Sequence, residues 1–292
     1  MRRQRIGYLF VAPATIHLFV FALFPLGYTF WLSLHRVNLL KEERAFVGFD
    51  NYAYSFGDPL FWNALRNSLE YALLSVPLGM AVALGIALLV NQKLPGMAFF
   101  RTAYYIPAIS SGVAISMLWI YMYLPETGLL NTLLKAIGLP GNTEFLNNPS
   151  WAMWALVFMS IWLGLGPKMV LYLAGLVGIP PDLYEAAELD GAGRWSTFRH
   201  ITLPMLAPTT LFVLVTSTIG AIQIFTPVYM MTQGGPGDRT DVVGYHIYIE
   251  AWQKFLVGIA GAKSFVVLLL ILAIAILQFR VMRTQLQGYA KT

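Results

Sequence analysis

Long apolar runs with almost no charge constrain this chain more than any other feature. Residues 6–35 contain no Asp, Glu, Lys or Arg, and similar runs recur along the chain. Charged residues make up only 11% of the sequence, whereas soluble proteins carry about 25%. In lipid, only helices and closed barrels satisfy all backbone polar groups. Because the runs are continuous rather than alternating, they predict membrane-spanning helices and not a barrel.

The apolar runs predict an all-α, polytopic membrane protein with six transmembrane helices in one permease-like domain over residues 1–292. The first run is too long for a signal-peptide core, and no small-residue cleavage site follows it. The last run is short for a span, so either Lys263 snorkels or residues 258–262 join the helix. The predicted spans cover about residues 8–34, 67–91, 102–123, 151–178, 204–226 and 259–281.

The distribution of Lys and Arg predicts the orientation of these spans. Basic residues are denser in the segments that share a side with the N-terminus. Cytoplasmic segments carry such an excess. The N- and C-termini are therefore expected in the cytoplasm, on the same side as the loop of residues 179–203.

Sites for chemistry are missing from the sequence. There is no cysteine, which excludes disulfides and thiolate catalysis. Residues 258–264 imitate a phosphate-binding loop, but with the wrong spacing, and the four histidines show no ligand spacing. No basic run points to nucleic acid. We expect a chain that is not an enzyme and that binds no metal or cofactor, so that another subunit must supply any energy.

Loop 179–203 is the most polar segment in the C-terminal two-thirds of the chain. Pro181 and Asp182 suit the first turn of a helix, and Gly191 suits the position just past its end. These signals predict a short amphipathic helix over residues 181–190 and a second helical turn before Pro204. Physical reasoning alone leaves two interpretations open, a docking surface for another protein or a solvated connector between two spans.

A spaced motif in this loop favours the first interpretation. The pattern EAA-xxx-G-x(9)-I-x-LP is represented here by Glu185, Ala186, Ala187, Gly191, Ile201, Leu203 and Pro204. It resembles the cytoplasmic signature of ABC importer permeases. Residues 226–240, here called the glycine-rich loop, resemble a loop of the first permease subunit in carbohydrate-uptake systems, the relatives of the maltose and glycerol-3-phosphate importers. The opening at residues 10–34 fits the same family.

The resemblance implies a type I ABC importer in a bacterial or archaeal cytoplasmic membrane. In that family two homologous permeases form the pore, two ATPase subunits bind ATP and Mg²⁺ beneath it, and an extracytoplasmic binding protein delivers the solute. The helix at 181–190 would be the coupling helix, anchored to the ATPase by Glu185. The paired alanines would leave a smooth contact face, and Gly191 would let the chain turn where a side chain would clash.

Four residues in or near the spans are candidates for contact with the solute. Lys168 lies in a predicted span, where a charged residue is costly and is by default functional or paired; an internal ion pair and snorkelling remain open. Trp162 could stack on a sugar ring. Gln223 and Thr226, placed in the outer half of the fifth span, could bond hydroxyl groups or bond a neighbouring helix.

The sequence therefore predicts the permease subunit of an ATP-driven sugar importer. Many relatives have Asp where this chain has Thr226, so the substrate stays open, and a polyol or a glycerol-3-phosphate-like solute is the alternative. A secondary carrier driven by an ion gradient is a more distant one, because the predicted spans are nearly free of the acidic residues that it would need.

Overall fold

The structure is a computed structural model that describes residues 2–38, 43–92 and 95–289. Helices dominate it, as predicted. Those labelled α1 to α14 cover Arg2–Leu18, Phe24–Ser33, Asp50–Gly57, Pro59–Val90, Met97–Ile109, Gly112–Met122, Leu129–Ala136, Pro149–Val177, Pro181–Leu189, Arg194–Thr197, Leu203–Met205, Ala207–Ile222, Val243–Tyr248 and Val257–Tyr289. Four π-helical segments cover Phe19–Leu23, Phe198–Thr202, Val228–Thr232 and Ile249–Gln253.

Four helical segments in the described part of the chain are long and apolar enough to cross a membrane. They are Phe10–Ser33, Pro59–Val90, Pro149–Val177 and Val257–Met282. Two further helix pairs pass the same test together but are bent by 100° and 65°. The number rises to six if each bent pair is one span, so the count of six stays a prediction.

The first bend divides the predicted third span. Helices α5 and α6 meet at 100°, because Ser110 and Ser111 between them are extended. Serine and glycine are poor in helix interiors and favour helix ends, and the sequence here is Ser-Ser-Gly. The single helix predicted over 102–123 is therefore replaced by two shorter helices.

The second bend, of 65°, interrupts the predicted fifth span between α11 and α12. Pro208 lies at the start of α12. It has no N–H, and its ring clashes with the carbonyl four residues earlier, which is that of Pro204. Helix α12 ends at Ile222, so Gln223 and Thr226 lie beyond the helix and not in its outer half as predicted.

Helix α4 begins at Pro59, earlier than the predicted start at 67. Asp58 acts as the N-cap, because its Oδ1 accepts a hydrogen bond from the Leu60 N–H at 3.0 Å. Proline in the first turn costs no hydrogen bond. Asn67 and Glu70, two polar residues within the predicted span, find partners within the protein.

The segment between the first two predicted spans contains regular structure. Strand β1, His35–Asn38, pairs antiparallel with strand β2, Glu43–Phe46. The His35 and Phe46 rings lie opposite each other, 5.3 Å apart between centroids. Helix α3 follows, and the buried Asn51 amide donates to the carbonyl oxygens of Ser33 and His35 at 2.8 and 2.9 Å. These hydrogen bonds attach α3 to the end of α2 and to the start of β1.

The chain forms two compact units. The first combines the described residues of Met1–Trp62 with His246–Leu270, and the second those of Asn63–Tyr245 with Ile271–Thr292. The second unit has a core of buried apolar side chains from α4, α8 and the start of the fifth span. Its centre contains Ala83, Ala87, Met169, Leu206 and Val213.

Helix α14 begins at Val257, so residues 258–262 do join the last helix. Lys263 has an exposed fraction of 0%, and it therefore does not snorkel to the surface.

Candidate functional site

Loop 179–203 folds as predicted into a short helix, a glycine turn and a second helical segment. Helix α9 spans Pro181–Leu189. The Ala192 N–H donates to the Ala187 carbonyl at 2.9 Å and the Gly191 N–H to the Glu188 carbonyl at 3.0 Å, which is the Schellman pattern. Gly191 has φ +75°, and no atom lies within 4 Å of an added Cβ. Glycine is therefore required here for its left-handed backbone, and no clash within the chain demands it.

The alanine pair of α9 is divided between two environments. Ala187 is buried within the chain, with 8% of its surface exposed, whereas Glu185 and Ala186 are exposed. We expected both alanines to form a smooth outer face. This expectation is wrong for Ala187, because its side chain points into the protein interior. The Tyr184 hydroxyl lies 3.1 Å from the Thr202 hydroxyl. This hydrogen bond ties α9 to the start of the fifth span.

The C-terminal part of the motif lies where the loop enters this span. Ile201 belongs to the π-helical segment Phe198–Thr202, and Leu203 and Pro204 begin α11. A proline cannot donate to the carbonyl four residues before it, and one-turn π segments often occur where a helix is locally disrupted. Ile201 and Pro204 are half-buried and Leu203 is exposed. These three residues shape the junction between loop and span.

A cavity of about 440 Å³, here called the central cavity, lies in the second unit. It sits beside the α5–α6 break, because Gly112 lines it and an added Cβ there would lie 3.7 Å from the Thr226 methyl carbon. The lining combines apolar groups with hydroxyl and amide groups. The polar side chains on its wall are Tyr71, Ser75, Ser160, Lys168, Ser217, Gln223 and Thr226.

Lys168 is the one charged residue among the described lining residues of the central cavity. The side chain is half-buried and forms no hydrogen bond or ion pair with any residue in the described ranges. An added Cβ would lie 3.0 Å from its Nζ at Gly164 and 3.4 Å from it at Gly79. The two glycines thus leave space around the ammonium group.

The structure brings three of the four predicted solute-contact residues together. Lys168, Gln223 and Thr226 line the central cavity, and Trp162 is not among its lining residues. Trp162 instead packs edge-on against Trp119, with 5.8 Å between ring centroids. The hydroxyls of Tyr71, Ser75 and Ser160 were missed, because single hydroxyl residues in apolar runs give no distinctive sequence signal.

The glycine-rich loop is held against α4. Asn67 is buried, and its amide donates to the carbonyl oxygens of Asp238 and Asp241 at 2.8 and 2.9 Å. Arg239 pairs with Glu70 through both terminal guanidinium nitrogens, Nη1 and Nη2. This hydrogen bond to Glu70 is the largest influence on Arg239, and it raises the pKa of the guanidinium. The loop next to the central cavity therefore has a defined position in the second unit.

The first unit contains an ion cluster, formed by Asp58, His246, Glu250 and Lys263, which sequence reasoning missed. Lys263 Nζ lies 2.7 Å from Asp58 Oδ2, 2.9 Å from His246 Nε2 and 3.0 Å from Glu250 Oε1. Potential metal-ligand atoms of Asp58, His246 and Glu250 lie within 4.8 Å of one another. The Lys263 ammonium group supplies the positive charge among them. The i,i+4 spacing of His246 and Glu250 was the available signal.

Comparison with known proteins identifies the family. The model of the family described as the binding-protein-dependent transport system inner membrane component matches residues 75–285. The chain belongs to this family. It is therefore a permease, a transport subunit rather than an enzyme, and a multi-pass protein of the inner membrane.

The similarity to known proteins extends over nearly the whole permease. It is 37% identical to the probable ABC transporter permease protein YurN of Bacillus subtilis over 96% of both chains. It is also 37% identical to the lactose transport system permease protein LacF of Rhizobium radiobacter, over 94% of this chain and 92% of that one. A chain of a bacterial alginate ABC transporter, solved in complex with an alginate pentasaccharide-bound periplasmic protein, matches with a TM-score of 0.83 and 27% identity, covering 98% of this chain and 96% of that one.

Proposed function

We propose that this permease imports a carbohydrate through the central cavity, as one of two permease subunits of an ATP-driven importer. The similar proteins that support this serve lactose transport and alginate transport. The cavity adds support of its own, because its wall presents neutral hydroxyl and amide groups, which can exchange hydrogen bonds with sugar hydroxyls. Thr226 offers a hydroxyl group to the same cavity.

The exposed surface of α9 is the observation that carries the rest of the proposal. Glu185 and Ala186 face outward from a helix that is tied to its own chain by Ala187 and by the bond between Tyr184 and Thr202. A force applied to α9 is therefore transmitted to the fifth span, which ends beside the central cavity. In the proposed complex, α9 is the coupling helix and docks on an ATPase subunit.

The proposed assembly contains this permease, a second homologous permease, two ATPase subunits that bind ATP and Mg²⁺, and an extracytoplasmic solute-binding protein. The permease itself binds no cofactor. ATP-driven closure of the ATPase subunits would move α9 and rotate the fourth and fifth spans as rigid bodies, which switches access to the cavity. This arrangement requires loop 179–203 and both termini to lie in the cytoplasm, as the density of basic residues predicts.

Substitutions in α9 test the coupling role. Glu185→Ala removes the exposed carboxylate, and Gly191→Ala puts a side chain where the backbone is left-handed. Glu188→Ala is the matched control, because Glu188 is an exposed acid on the same helix outside the motif. The measurements are co-purification of the ATPase with the tagged permease and ATP-dependent uptake in proteoliposomes.

We expect Glu185→Ala and Gly191→Ala to weaken ATPase association and uptake, and Glu188→Ala to leave both near the wild-type level. Loss of an interface hot spot costs about 2 kcal/mol, which corresponds to about thirtyfold in affinity. Recovery of a normal ATPase complex and normal uptake with both motif variants would contradict the coupling role of α9.

The alternative solute, a polyol or a glycerol-3-phosphate-like molecule, uses the same architecture. One observation favours its anionic form, the position of the Lys168 ammonium in the central cavity.

A further inference from the structure

The charge on the wall of the central cavity is unbalanced. Lys168 is positive, and none of the described lining residues is acidic. In the described ranges Lys168 also lacks any hydrogen-bond or ion-pair partner. A cation in a partly desolvated site is unfavourable unless it is paired or hydrated. The unpaired positive charge therefore favours binding of a negative group in the cavity.

The surroundings of Lys168 keep its ammonium group available. Gly164 and Gly79 lie near Nζ, since an added Cβ would be 3.0 Å from Nζ at Gly164 and 3.4 Å from it at Gly79. The acidic residues that form ion pairs in the described ranges pair with residues other than Lys168. Glu70 pairs with Arg239, while Asp58 and Glu250 pair with Lys263. These three carboxylates are therefore compensated within the chain, whereas the Lys168 ammonium faces a cavity of about 440 Å³.

A neutral sugar does not need this cation. Hydroxyl groups are satisfied by the hydroxyl and amide side chains that also line the cavity, such as Ser217, Gln223 and Thr226. An ammonium group attracts a carboxylate, sulfonate or phosphate more strongly, because the charge-assisted hydrogen bond is about twice as strong as a neutral one. Lys168 therefore adds discrimination between charged and uncharged solutes that otherwise have the same shape.

We propose that the central cavity selects an anionic carbohydrate, one that carries a carboxylate, sulfonate or phosphate group, and that Lys168 is the residue that determines this specificity. The ammonium pairs with the anion while Gln223 and Thr226 bond the hydroxyl groups. This inference rests on the proposed import of a carbohydrate through the cavity and specifies the class of that carbohydrate.

Binding to the purified nucleotide-free complex tests the charge preference without depending on uptake. The probes are trigalacturonate and its methyl ester, which differ in charge but share the sugar framework. Glucose 6-phosphate and glucose form a second pair, which extends the test to phosphate. Saturation-transfer NMR titrations give the affinity for each probe, and the preference is the ratio of affinities within a pair.

Three variants identify the group responsible. Lys168→Met removes the charge at nearly constant length, and Lys168→Arg keeps it. Lys135→Met is the matched control, because Lys135 is exposed on α7 and does not line the cavity. We expect the wild type to prefer the anionic member of at least one pair by about tenfold, a free-energy difference of about 1.4 kcal/mol. Lys168→Met should abolish the preference, and the other two variants should retain it.

Two results would overturn the proposal. One is a wild-type complex that binds the anionic probes no more tightly than the neutral ones, including no binding of either pair. The other is an unchanged preference in Lys168→Met. If the second permease supplied an acidic partner, Lys168→Met would lower recovery of the complex and leave the preference unchanged. The α9 experiments are independent of probe charge, so failure of the coupling role and failure of the anion preference are separate outcomes.

Discussion

The ion cluster predicts that Lys263→Met is strongly destabilising. Lys263 is fully buried and contacts Asp58, His246 and Glu250 at 2.7 to 3.0 Å. The Lys263 ammonium is the donor to both carboxylates. Methionine keeps the length of the side chain and removes its charge and its donors. Two carboxylates then remain close together without the cation between them.

The cost follows from the burial of these partners. Glu250 has 1% of its side chain exposed and Asp58 has 14%. Removing one member of a buried ion pair costs about 3–5 kcal/mol, because the remaining charge is left uncompensated. Lys254 provides the comparison, since it contacts the same Glu250 oxygen at 3.1 Å but is 47% exposed. An exposed pair contributes about 1 kcal/mol or less, so Lys254→Met should cost several-fold less.

Denaturant unfolding of the purified protein, with both variants in the same detergent, measures the difference. A double variant, Lys263→Met with Glu250→Gln, removes one of the two remaining carboxylate charges. It should recover part of the lost stability, because a neutral amide is less costly to bury than a carboxylate. The reasoning is refuted if Lys263→Met destabilises no more than Lys254→Met, or if the double variant is no more stable than Lys263→Met alone.

Two further predictions concern acid stability and the glycine-rich loop. Burial raises the pKa of Asp58, but the hydrogen bond and charge of Lys263 outweigh it and hold the pKa below its ordinary value of 3.8. The stabilisation is therefore present above pH 3.8 and is lost as the pH falls through the lower folded-state pKa; Asp58→Asn should flatten this part of the acid-unfolding curve. Asn67→Ala removes one of two side-chain donors to the Asp238 carbonyl and a donor to the Asp241 carbonyl. It should cost about 2 kcal/mol, more than Asn63→Ala, which removes one donor at a less buried position; hydrogen exchange of the loop would detect the difference.

Local signals explain which parts of the fold could be predicted. Hydropathy marks apolar helices because each residue in a span must be compatible with lipid on its own. Helix α9 was predicted because Pro181 and Gly191 act on the backbone next to them. The break at Ser110 was not predicted, because apolar residues continue on both sides of it and hydropathy does not distinguish a straight helix from a bent pair.

The candidate sites likewise combine features that local sequence predicts with features that only tertiary packing sets. The sequence by itself determined the family motif, the membrane class and the presence of a lysine in an apolar span, since these depend on residue type and spacing along the chain. Only the tertiary structure decided that Lys263 contacts Asp58, 205 positions away. It also decided that Ala187 is buried and that Lys168 lines the same cavity as Gln223 and Thr226. Ion pairing and cavity shape depend on distances between segments remote in sequence, and those distances are set by packing.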